Sequence, residues 1–546
     1  MKNVKSWPER FKAVRKRSVR SNFMFKQADS RFGRSALSRS ALTVLALGLM
    51  PAPTLAADSN ATLIYFDAAA NATFDPLEPQ SNSSVAQAAL MAAFDSLIKL
   101  TDAGEPIPGL AASWKYNEDL TQFTLVLRPG VTFHDGLRLD AAAVARNLER
   151  ASGLGKRAGA ATVETMSQIA GVDIVSADTI RLRLNAPNGQ MPYLLAGQPG
   201  MMVSPASLTG DAFGGTLKPV GAGPFRIRSY EASARTFFER FENYWAGTEG
   251  RPRAVEHHFV PDGRARLNAV RSGQATMALL DTRQIPEAKA AGLTVQVNQK
   301  NVISDVYLNQ DRETIGNLGV RRAFMHALDR AALSDALGGG VSQPTVQIFG
   351  PLSPLYDKSL EDLYPYDPAK ARRLLVEAGY KDGVEINWNV LNASEYRLVA
   401  EAVQAMVAEV GIRLKLDVID ISQYQLFRLP PKRGDVMLGR WGGRADPLQT
   451  FQELAGTGGS VNAGRAAVPE IDTLIDQARR LEPADPKRTA VLRQLARLTT
   501  EQVSHIALMV RPNVYVYRPG CVSGMNPYLP AGGDRFNDVT VSAACR

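Results

Sequence analysis

The chain reads ATLIYFDAAANATFDPLEPQ at 61–80, AALMAAFDSLIKLTDAGEPIPGLAASW at 88–114 and LTQFTLVLRPGVTFHDGLRLDAAAVARNLER at 120–150. These stretches predict, in order, a strand, a loop, a helix, a second strand, a tight turn and a second helix. The loop contains Phe74–Leu77, the second strand ends at Leu127–Gly130 and the turn is Phe133–Gly136. Mixed helix and strand continue through the rest of the chain, so we predict an α/β fold.

This order of elements resembles the N-terminal region of the family 5 extracellular solute-binding proteins, which include the dipeptide, oligopeptide and nickel receptors of ABC importers. Later motifs match in the same order: Pro219–Phe225 resembles the P-V-G-T-G-P-F/Y turn, Glu242–Trp245 resembles N-x-x-Y-W, and Tyr366–Tyr380 resembles D-P-x-K-A-x-x-L-L-x-E-A-G. The resemblance covers about residues 61–517 and rests on the collinear order of the motifs. It implies a receptor that captures a ligand without catalytic chemistry, and we expect no catalytic residue, no cofactor and no metal site.

The resemblance implies the fold of a type II periplasmic binding protein, with two lobes, a hinge of two chain crossings and an extra domain inserted in the first lobe. The expected boundaries are 58–80, 205–300 and 511–546 for a discontinuous lobe I, 81–204 for the inserted domain and 301–510 for lobe III. The crossings are expected near Asn298–Ser304 and Met509–Asn513. In such proteins the ligand binds in the cleft and the lobes close over it.

Residues 1–57 have the pattern of a targeting segment. They hold 12 Lys/Arg and 2 Asp/Glu, a net charge of +10, with an apolar run at Ala41–Met50 and small residues at Thr54–Ala57. We therefore expect a signal peptide at 1–57 and a location in the periplasm, with Met1 and Met24 as alternative starts. Subtracting this +10 from the +9 of the whole chain leaves −1. The basic pI therefore gives no reason to expect nucleic acid or membrane binding.

The chain has two cysteines, Cys521 and Cys545. In an oxidising periplasm we expect one disulfide that fixes the C-terminal segment and stabilises the fold by roughly 3 kcal/mol. Two free thiols are the alternative. Two cysteines without a nearby histidine do not make a zinc site.

The clearest local unit lies between Glu385 and Val418. Apolar residues alternate over 386–390, recur at helical spacing over 399–410 and alternate again over 412–418, and Gly411 is placed to end the helix. This strand–helix–strand pattern predicts a parallel crossover.

Ligands of α/β lobes gather at the carboxyl ends of strands, which directs attention to the loop after the predicted strand Val436–Leu438. This loop, GRWGGRADP at 439–447, resembles the family's G-W-x-A-D-x-x-D-P ligand loop. In peptide-binding members the Asp of W-x-A-D holds the peptide's α-ammonium group. Here Arg444 occupies that position, and a guanidinium favours a carboxylate or phosphate instead.

Four further residues of this loop are candidates. Asp446 takes the ammonium-binding role if the loop is shortened, or only shapes a turn with Pro447. Trp441 stacks on the ligand or packs in the core, and Gly442 and Gly443 bring backbone amides to the ligand or only permit a turn.

On lobe I, Asn71 and Thr73 follow the first strand and face the cleft in relatives, so hydrogen bonds to the ligand and plain loop polarity are both open. Tyr515 is a candidate cleft residue, but its alternation with Val514 and Val516 favours packing in a sheet. For Arg511, at the second crossing, a structural ion pair is the favoured role.

Other classes of protein lack support in the sequence. None of the five histidines has metal-ligand spacing or lies in the Trp441 loop, which disfavours a nickel receptor. His134 is interpreted as a turn residue. No G-x-S-x-G, P-loop, H-E-x-x-H or C-x-x-C motif occurs, so an enzyme is disfavoured.

The leading hypothesis is a periplasmic receptor that delivers di- or oligopeptides to an ABC importer. The first alternative keeps the fold and assigns a non-peptide anionic solute, such as an opine-like conjugate, to Arg444. The second is a periplasmic enzyme or chaperone. The implied partners are two permease and two ATP-binding subunits, and the receptor is expected to be a monomer.

Overall fold

The computed structural model describes residues 58–545 except Ala72, 155–157, 209–218, 300–301, 421–422, Tyr424, 429–431, Arg465, Pro527, Leu529 and 531–534. The predicted signal peptide therefore lies outside the described residues. Among those described, no helix has both the length and the apolar character that a bilayer crossing demands.

The strands of the described chain are β1 Thr62–Asp67, β2 Ile98–Leu100, β3 Pro106–Pro108, β4 Ala111–Tyr116, β5 Gln122–Leu127, β6 Ile169–Ser176, β7 Thr179–Leu184, β8 Phe225–Glu231, β9 Arg235–Arg240, β10 Ala254–Phe259, β11 Met277–Leu279, β12 Thr294–Asn298, β13 Ile303–Leu308, β14 Gln343–Pro344, β15 Val384–Leu391, β16 Ile412–Ile419, β17 Val436–Trp441, β18 Ile506–Val510, β19 Asn513–Tyr517, β20 Val522–Ser523 and β21 Thr540–Val541.

The helices are α1 Ser84–Ala93, α2 Ala141–Leu154, α3 Ala160–Ser167, α4 Met191–Leu194, α5 Gly263–Ser272, α6 Ile285–Ala290, α7 Glu313–Gly316, α8 Leu318–Ala327, α9 Arg330–Leu337, α10 Pro368–Glu377, α11 Ser394–Ala408, α12 Gln425–Arg428, α13 Pro447–Leu454, α14 Pro469–Arg479 and α15 Pro486–Glu501.

Three larger sheets organise these elements. A mixed sheet has the order β12-β19-β11-β1-β10-β9-β8, a second mixed sheet has the order β14-β18-β13-β17-β15-β16, and a third, antiparallel throughout, has the order β4-β5-β7-β6. The strands of the antiparallel sheet all lie between Ala111 and Leu184, inside the predicted inserted domain. The other two sheets combine strands that are distant in sequence.

Each large sheet has its own apolar core. Leu63, Phe74, Phe225 and Phe238 pack on the seven-stranded sheet. Residues Ile303, Met437 and Phe451 belong to the core of the six-stranded sheet, and Phe123, Leu125, Ile180 and Leu182 to that of the antiparallel sheet. Burial of these side chains, at roughly 25 cal/mol per Å² of apolar surface, is what drives the layers together.

The predicted strand–helix–strand unit is confirmed. Strands β15 and β16 pair in parallel from Val384↔Ile412 to Leu391↔Ile419, and α11 connects them. Gly411 ends the unit's helical segment with φ of +94°, a left-handed conformation that glycine adopts without steric cost.

Two connections link the large sheets, from Asn298 of β12 to Ile303 of β13 and from Val510 of β18 to Asn513 of β19. The sequence placed the hinge crossings at these positions. Beside the second connection, Arg511 donates from Nη2 to Glu395 Oε2 at 3.1 Å, so its predicted structural ion pair is present.

Candidate functional site

A cavity of about 360 Å³ lies where the loop after β17 meets residues around β2 and the C-terminal segment. The loop contributes Gly443, Arg444 and Ala445 to the wall, and α13 contributes Gln449. The rest of the lining includes Lys99, Trp245 and, from the C-terminal segment, Tyr528 and Arg535. The cavity volume is within the range of about 300–1,000 Å³ that small-molecule sites usually have.

The strand before the loop is longer than the sequence predicted. Pairing of Trp441 with Ile303 extends β17 to Trp441, which the sequence placed in the loop. Trp441 is 3% exposed, its Nε1 donates to Thr450 Oγ1 at 3.3 Å, and it does not line the cavity. The long-range partner strand, which local pattern does not reveal, explains the difference.

Arg444 lines the cavity with its charge already paired. Its Nη2 donates to Glu453 Oε2 at 2.6 Å and its Nε donates to Glu453 Oε1, while the guanidinium lies 4.2 Å from the centre of the Trp441 ring. Burial alone lowers the pKa of Arg444, but the charge of Glu453 outweighs burial and the pKa is raised. The bidentate pair keeps the guanidinium charged and turned toward α13.

Asp446 lies behind the cavity wall and is fully buried. Its carboxylate accepts hydrogen bonds from Arg488 Nη2 at 2.6 and 2.8 Å, from Gln190 Nε2 at 2.8 Å and from the backbone N of Leu448 at 3.0 Å. The last of these caps the N-terminus of α13, which begins with Pro447. These four hydrogen bonds, from three donor groups, saturate the carboxylate within the protein.

A second carboxylate approaches the loop from α3. Glu164 Oε2 accepts a hydrogen bond from Gln449 Nε2 at 2.9 Å, and Gln449 is one turn before Glu453 on α13. Burial and, secondarily, the charge of Glu453 raise the pKa of Glu164 to about 7. Glu453 therefore pairs directly with Arg444, whereas Glu164 contacts the same helix through Gln449 and interacts with the pair electrostatically.

Of the remaining predicted residues, only Gly443 is in the described lining of this cavity. Thr73 Oγ1 donates to Glu78 Oε2 at 2.7 Å, and the carbonyl oxygen of Asn71 accepts from Tyr230 at 3.0 Å. Asn71 lines a separate small cavity of about 10 Å³. Tyr515 is 2% exposed in β19, with its ring centre 6.2 Å from that of Tyr65. Gly442 is not in the wall, whereas Gly443 is, with φ of +76°.

Sequence reasoning missed the part of the cavity wall that contains Lys99 and Trp245. Lys99 Nζ lies 2.9 Å from Asp95 Oδ1 and donates to the Tyr244 hydroxyl at 3.0 Å, and Trp245 Nε1 donates to Asp95 Oδ2 at 2.6 Å. The Tyr-Trp pair was noted as a family motif, and that was the available signal for a site here.

The two cysteines form a disulfide, as predicted, with Cα atoms 5.0 Å apart. In the part of the chain that the structure describes, no group of three His, Cys, Asp or Glu residues has the geometry to hold a metal ion. His134 has a structural partner, since its Nε2 lies 2.9 Å from the carbonyl oxygen of Gly223.

Comparison with known proteins places this geometry in context. The family model described as "Bacterial extracellular solute-binding proteins, family 5 Middle" matches residues 105–462. The glutathione-binding protein GsiB of Salmonella paratyphi A is 29% identical over 367 residues, which are 65% of this chain and 69% of GsiB.

Two solved structures show the same fold. AgaA in complex with agropinic acid, from A. tumefaciens R10, has a TM-score of 0.76 at 22% identity and covers 88% of this chain and 99% of its own. DppA of Helicobacter pylori in complex with the peptide STSA has a TM-score of 0.77 at 21% identity and covers 88% of this chain and 98% of its own. The chain belongs to the family 5 extracellular solute-binding proteins, the solute-binding components of ABC importers, and it has their type II periplasmic binding protein fold.

Proposed function

We propose that this receptor captures a short peptide in the cavity beside Gly443 and Arg444. The observation that carries the peptide assignment is the bidentate pair of Arg444 with Glu453. In the sequence, Arg444 argued against a peptide because its guanidinium would repel an α-ammonium group. Paired with Glu453, the guanidinium no longer presents an unpaired positive charge to an α-ammonium group, and Glu164 in its ionised form adds a negative charge near that pair.

A non-peptide anionic solute is the second candidate. Arg444 is part of the cavity wall, and the structural neighbour AgaA was solved with agropinic acid. For such a solute to bind through Arg444, its acidic group would have to displace or share the contact with Glu453. That exchange costs a partly buried ion pair, and so it supports the peptide as the first choice.

The relatives named glutathione-binding proteins add a specific member of the peptide class to be tested. Glutathione carries an ammonium group and two carboxylates. It therefore belongs in the same panel as unmodified peptides, with an opine as the representative of the anionic class.

The proposed architecture is the predicted one: lobe I at 58–80, 205–300 and 511–546, the inserted domain at 81–204 and lobe III at 301–510. The division of strands among the three sheets supports it. Binding by Trp441, Gly442, Asp446, Asn71, Thr73 and Tyr515 remains a prediction, and their contacts within the protein favour Gly443 and Arg444 as the direct ligand contacts.

Members of this family work with the permeases and ATPases of ABC importers. We place the mature protein in the periplasm as a monomer that docks on two permease subunits driven by two ATP-binding subunits. It binds without turnover, and product formation from a bound solute, or suppression of another protein's aggregation without a specific ligand, would instead indicate the enzyme or chaperone alternative.

The direct test is native mass spectrometry of the mature protein from periplasmic extract, with denaturing release of the co-purified solute. A released peptide or peptide mixture supports the proposal. A single non-peptide acid keeps the transport role and overturns the peptide. If the protein is empty, a thermal-shift panel of dialanine, glutathione and octopine takes the place of the released solute.

Replacing Arg444 with Asp separates the two ligand classes. If Arg444 binds an anionic solute, Arg444→Asp loses that solute and gains affinity for peptides. If the peptide assignment is correct, the variant instead places a third carboxylate beside Glu453 and Glu164 and weakens the fold of the loop. Arg183→Ala is the matched control, because Arg183 is exposed and pairs with Asp173 on the antiparallel sheet.

A further inference from the structure

We propose that Gln190 is a positioning residue that holds the cavity closed, because its side-chain amide fastens the segment before α4 to the loop after β17. Closure of this kind retains whichever solute occupies the cavity, so the role of Gln190 goes beyond the peptide assignment. Three features of the molecule support it: the position of the contact, the burial of polar groups within it, and the division of the apolar cores.

Gln190 lies between two parts of the cavity lining. It directly precedes α4, and Tyr193 of that helix lines the cavity. Its Nε2 donates to Asp446 Oδ2 at 2.8 Å, and Asp446 directly follows Ala445, which lines the cavity as well. One side-chain amide therefore joins two lining segments that are 256 residues apart in sequence.

Further hydrogen bonds cross at the same place. Gln190 and Gln452 of α13 exchange two side-chain hydrogen bonds, each with an N–O distance of 3.3 Å. The backbone N of Gly189 donates to the carbonyl oxygen of Arg479, at the end of α14, at 2.7 Å. The hydrogen bond between α3 and α13 described above adds another. The proposed inserted domain thus contacts the proposed lobe III at several adjacent points.

This contact is polar although it is buried. Gln190, Asp446 and Gln449 are all buried, and Ala445 adds a small apolar contact with the cluster that contains Tyr193. Permanent interfaces are mostly apolar, whereas surfaces that separate must be solvated when apart and are more polar. The composition of the contact is therefore typical of surfaces that open and close.

The apolar cores divide along the same line. Leu90 and Phe94 of α1, in the proposed inserted domain, belong to the apolar core of the seven-stranded sheet. The described members of the core of the six-stranded sheet all lie between Ile303 and Val510. Parting the contact at Gln190 exchanges hydrogen bonds within the protein for hydrogen bonds to water, so it costs less than opening an apolar core.

Opening at this contact leaves no charge without a partner. Asp446 and Arg488 both belong to the proposed lobe III, so their buried ion pair stays intact when Gln190 departs. What is lost is the hydrogen bond from the Gln190 amide to a carboxylate, and such a charge-assisted bond is stronger than one between neutral groups. Gln190 therefore contributes more to closure than the neutral backbone bond of Gly189.

The experiment is hydrogen–deuterium exchange of the mature, oxidised protein from periplasmic extract, with fragmentation that resolves the backbone amide of Gly189. We expect this amide to be protected in the wild type and to exchange at least about tenfold faster in Gln190→Met, which loses a buried hydrogen bond to a charged group. Gln404→Met is the matched control. It removes a hydrogen bond of 2.7 Å from Gln404 Nε2 to the carbonyl oxygen of Leu414, within the proposed lobe III, and should leave exchange at Gly189 unchanged.

Two further variants distinguish positioning from general destabilisation. Gln190→Glu keeps the size of the side chain but places a second carboxylate beside Asp446, so at neutral pH it should open the contact more than Gln190→Met does. Gln190→Met combined with Gln452→Met should have a less than additive effect on exchange at Gly189, because the two amides bond to each other.

Exchange at Gly189 decides whether Gln190 holds the contact. An unprotected Gly189 amide in the wild type, or equal exchange at Gly189 in Gln190→Met and Gln404→Met, overturns the role of Gln190. If Gln190→Met does not fold, as judged by circular dichroism, Gln452→Met replaces it, and unchanged exchange at Gly189 in that variant refutes the closure.

Solute retention is measured separately, by stopped-flow tryptophan fluorescence with dialanine as the probe. Dissociation should be faster in Gln190→Met than in the wild type, with a smaller change in the association rate. Equal dissociation rates overturn the role of Gln190 in retention. Absence of dialanine binding to the folded wild type counts against the peptide assignment alone, because the exchange experiment uses no added solute and still decides whether Gln190 holds the cavity closed.

Discussion

Replacing Asp446 with alanine tests whether this residue stabilises the fold or contacts the ligand. The substitution removes one partner of a buried ion pair and leaves Arg488, which is 2% exposed, without a counter-charge. Loss of one partner of such a pair typically costs about 3–5 kcal/mol. The N-cap of α13 is lost as well, at about 1 kcal/mol, but the same carboxylate provides both interactions, so the two values are not summed.

The expected result is a decrease in unfolding free energy of about 3–5 kcal/mol. Equilibrium urea unfolding, followed by tryptophan fluorescence at neutral pH, measures it. Asp476→Ala is the matched control, because Asp476 pairs with Arg479 and Arg480 on the exposed face of α14 and its loss should cost less than about 1 kcal/mol.

A double-mutant cycle sharpens the test. In Asp446→Ala with Arg488→Met, the buried charge is gone and much of the stability should return. Asp446→Ala that remains as stable as the wild type but loses its ligand would refute the structural reading and restore Asp446 as a direct ligand contact.

Three further predictions follow from buried groups and close contacts. Burial raises the pKa of Asp305 well above its ordinary value of 3.8, so the folded state retains a proton that the unfolded state releases. The stability of the wild type relative to Asp305→Asn should therefore fall as pH rises above about 4, by up to about 1.4 kcal/mol per pH unit. Parallel pH profiles of the two proteins in urea unfolding would contradict this. The pKa of Glu164 is raised to about 7. If the ammonium group of dialanine binds ionised Glu164, the affinity should rise about eightfold from about pH 6 to pH 7.5. In calorimetry, Glu164→Gln should show no such rise. A Cβ at Gly189 would lie 2.1 Å from the carbonyl oxygen of Leu481, so Gly189→Ala should lower the unfolding free energy by about 1–3 kcal/mol. Gly153 has open space around it, so Gly153→Ala is the control and should not destabilise the protein.

Local pattern was sufficient where neighbouring residues determine the structure. The alternation over 386–390 and 412–418 predicts strands β15 and β16, and the helical spacing between them predicts α11. Glycine at 411 ends that helix for a reason that is visible in the sequence itself, since a left-handed residue is required there.

The loop after β17 was only partly predictable. The motif identified Gly443 and Arg444 as wall residues, but the partner of Arg444 is Glu453, on a helix that the motif does not include. Asp446 likewise meets Arg488, 42 residues later, and Gln190, 256 residues earlier. Such contacts depend on how the layers pack and leave no trace in local periodicity.

The part of the cavity wall that the C-terminal segment provides could not be predicted from the sequence, for the same reason. Tyr528 and Leu100 belong to one apolar cluster although the whole middle of the chain separates them. Nothing in the local sequence around Tyr528 indicates that the fold places this residue in a cavity wall.

The disulfide between Cys521 and Cys545 has a consequence for when the receptor becomes competent. It closes a loop with a sequence separation of 24 and anchors the segment that supplies one wall of the cavity. Disulfides persist in oxidising compartments and are rare in the cytosol. Protein produced in a reducing cytosol would therefore form the six-stranded sheet but lack the disulfide that anchors this part of the cavity wall. The proposed periplasmic location is one in which this disulfide can form, and receptor made for any ligand screen should be oxidised first.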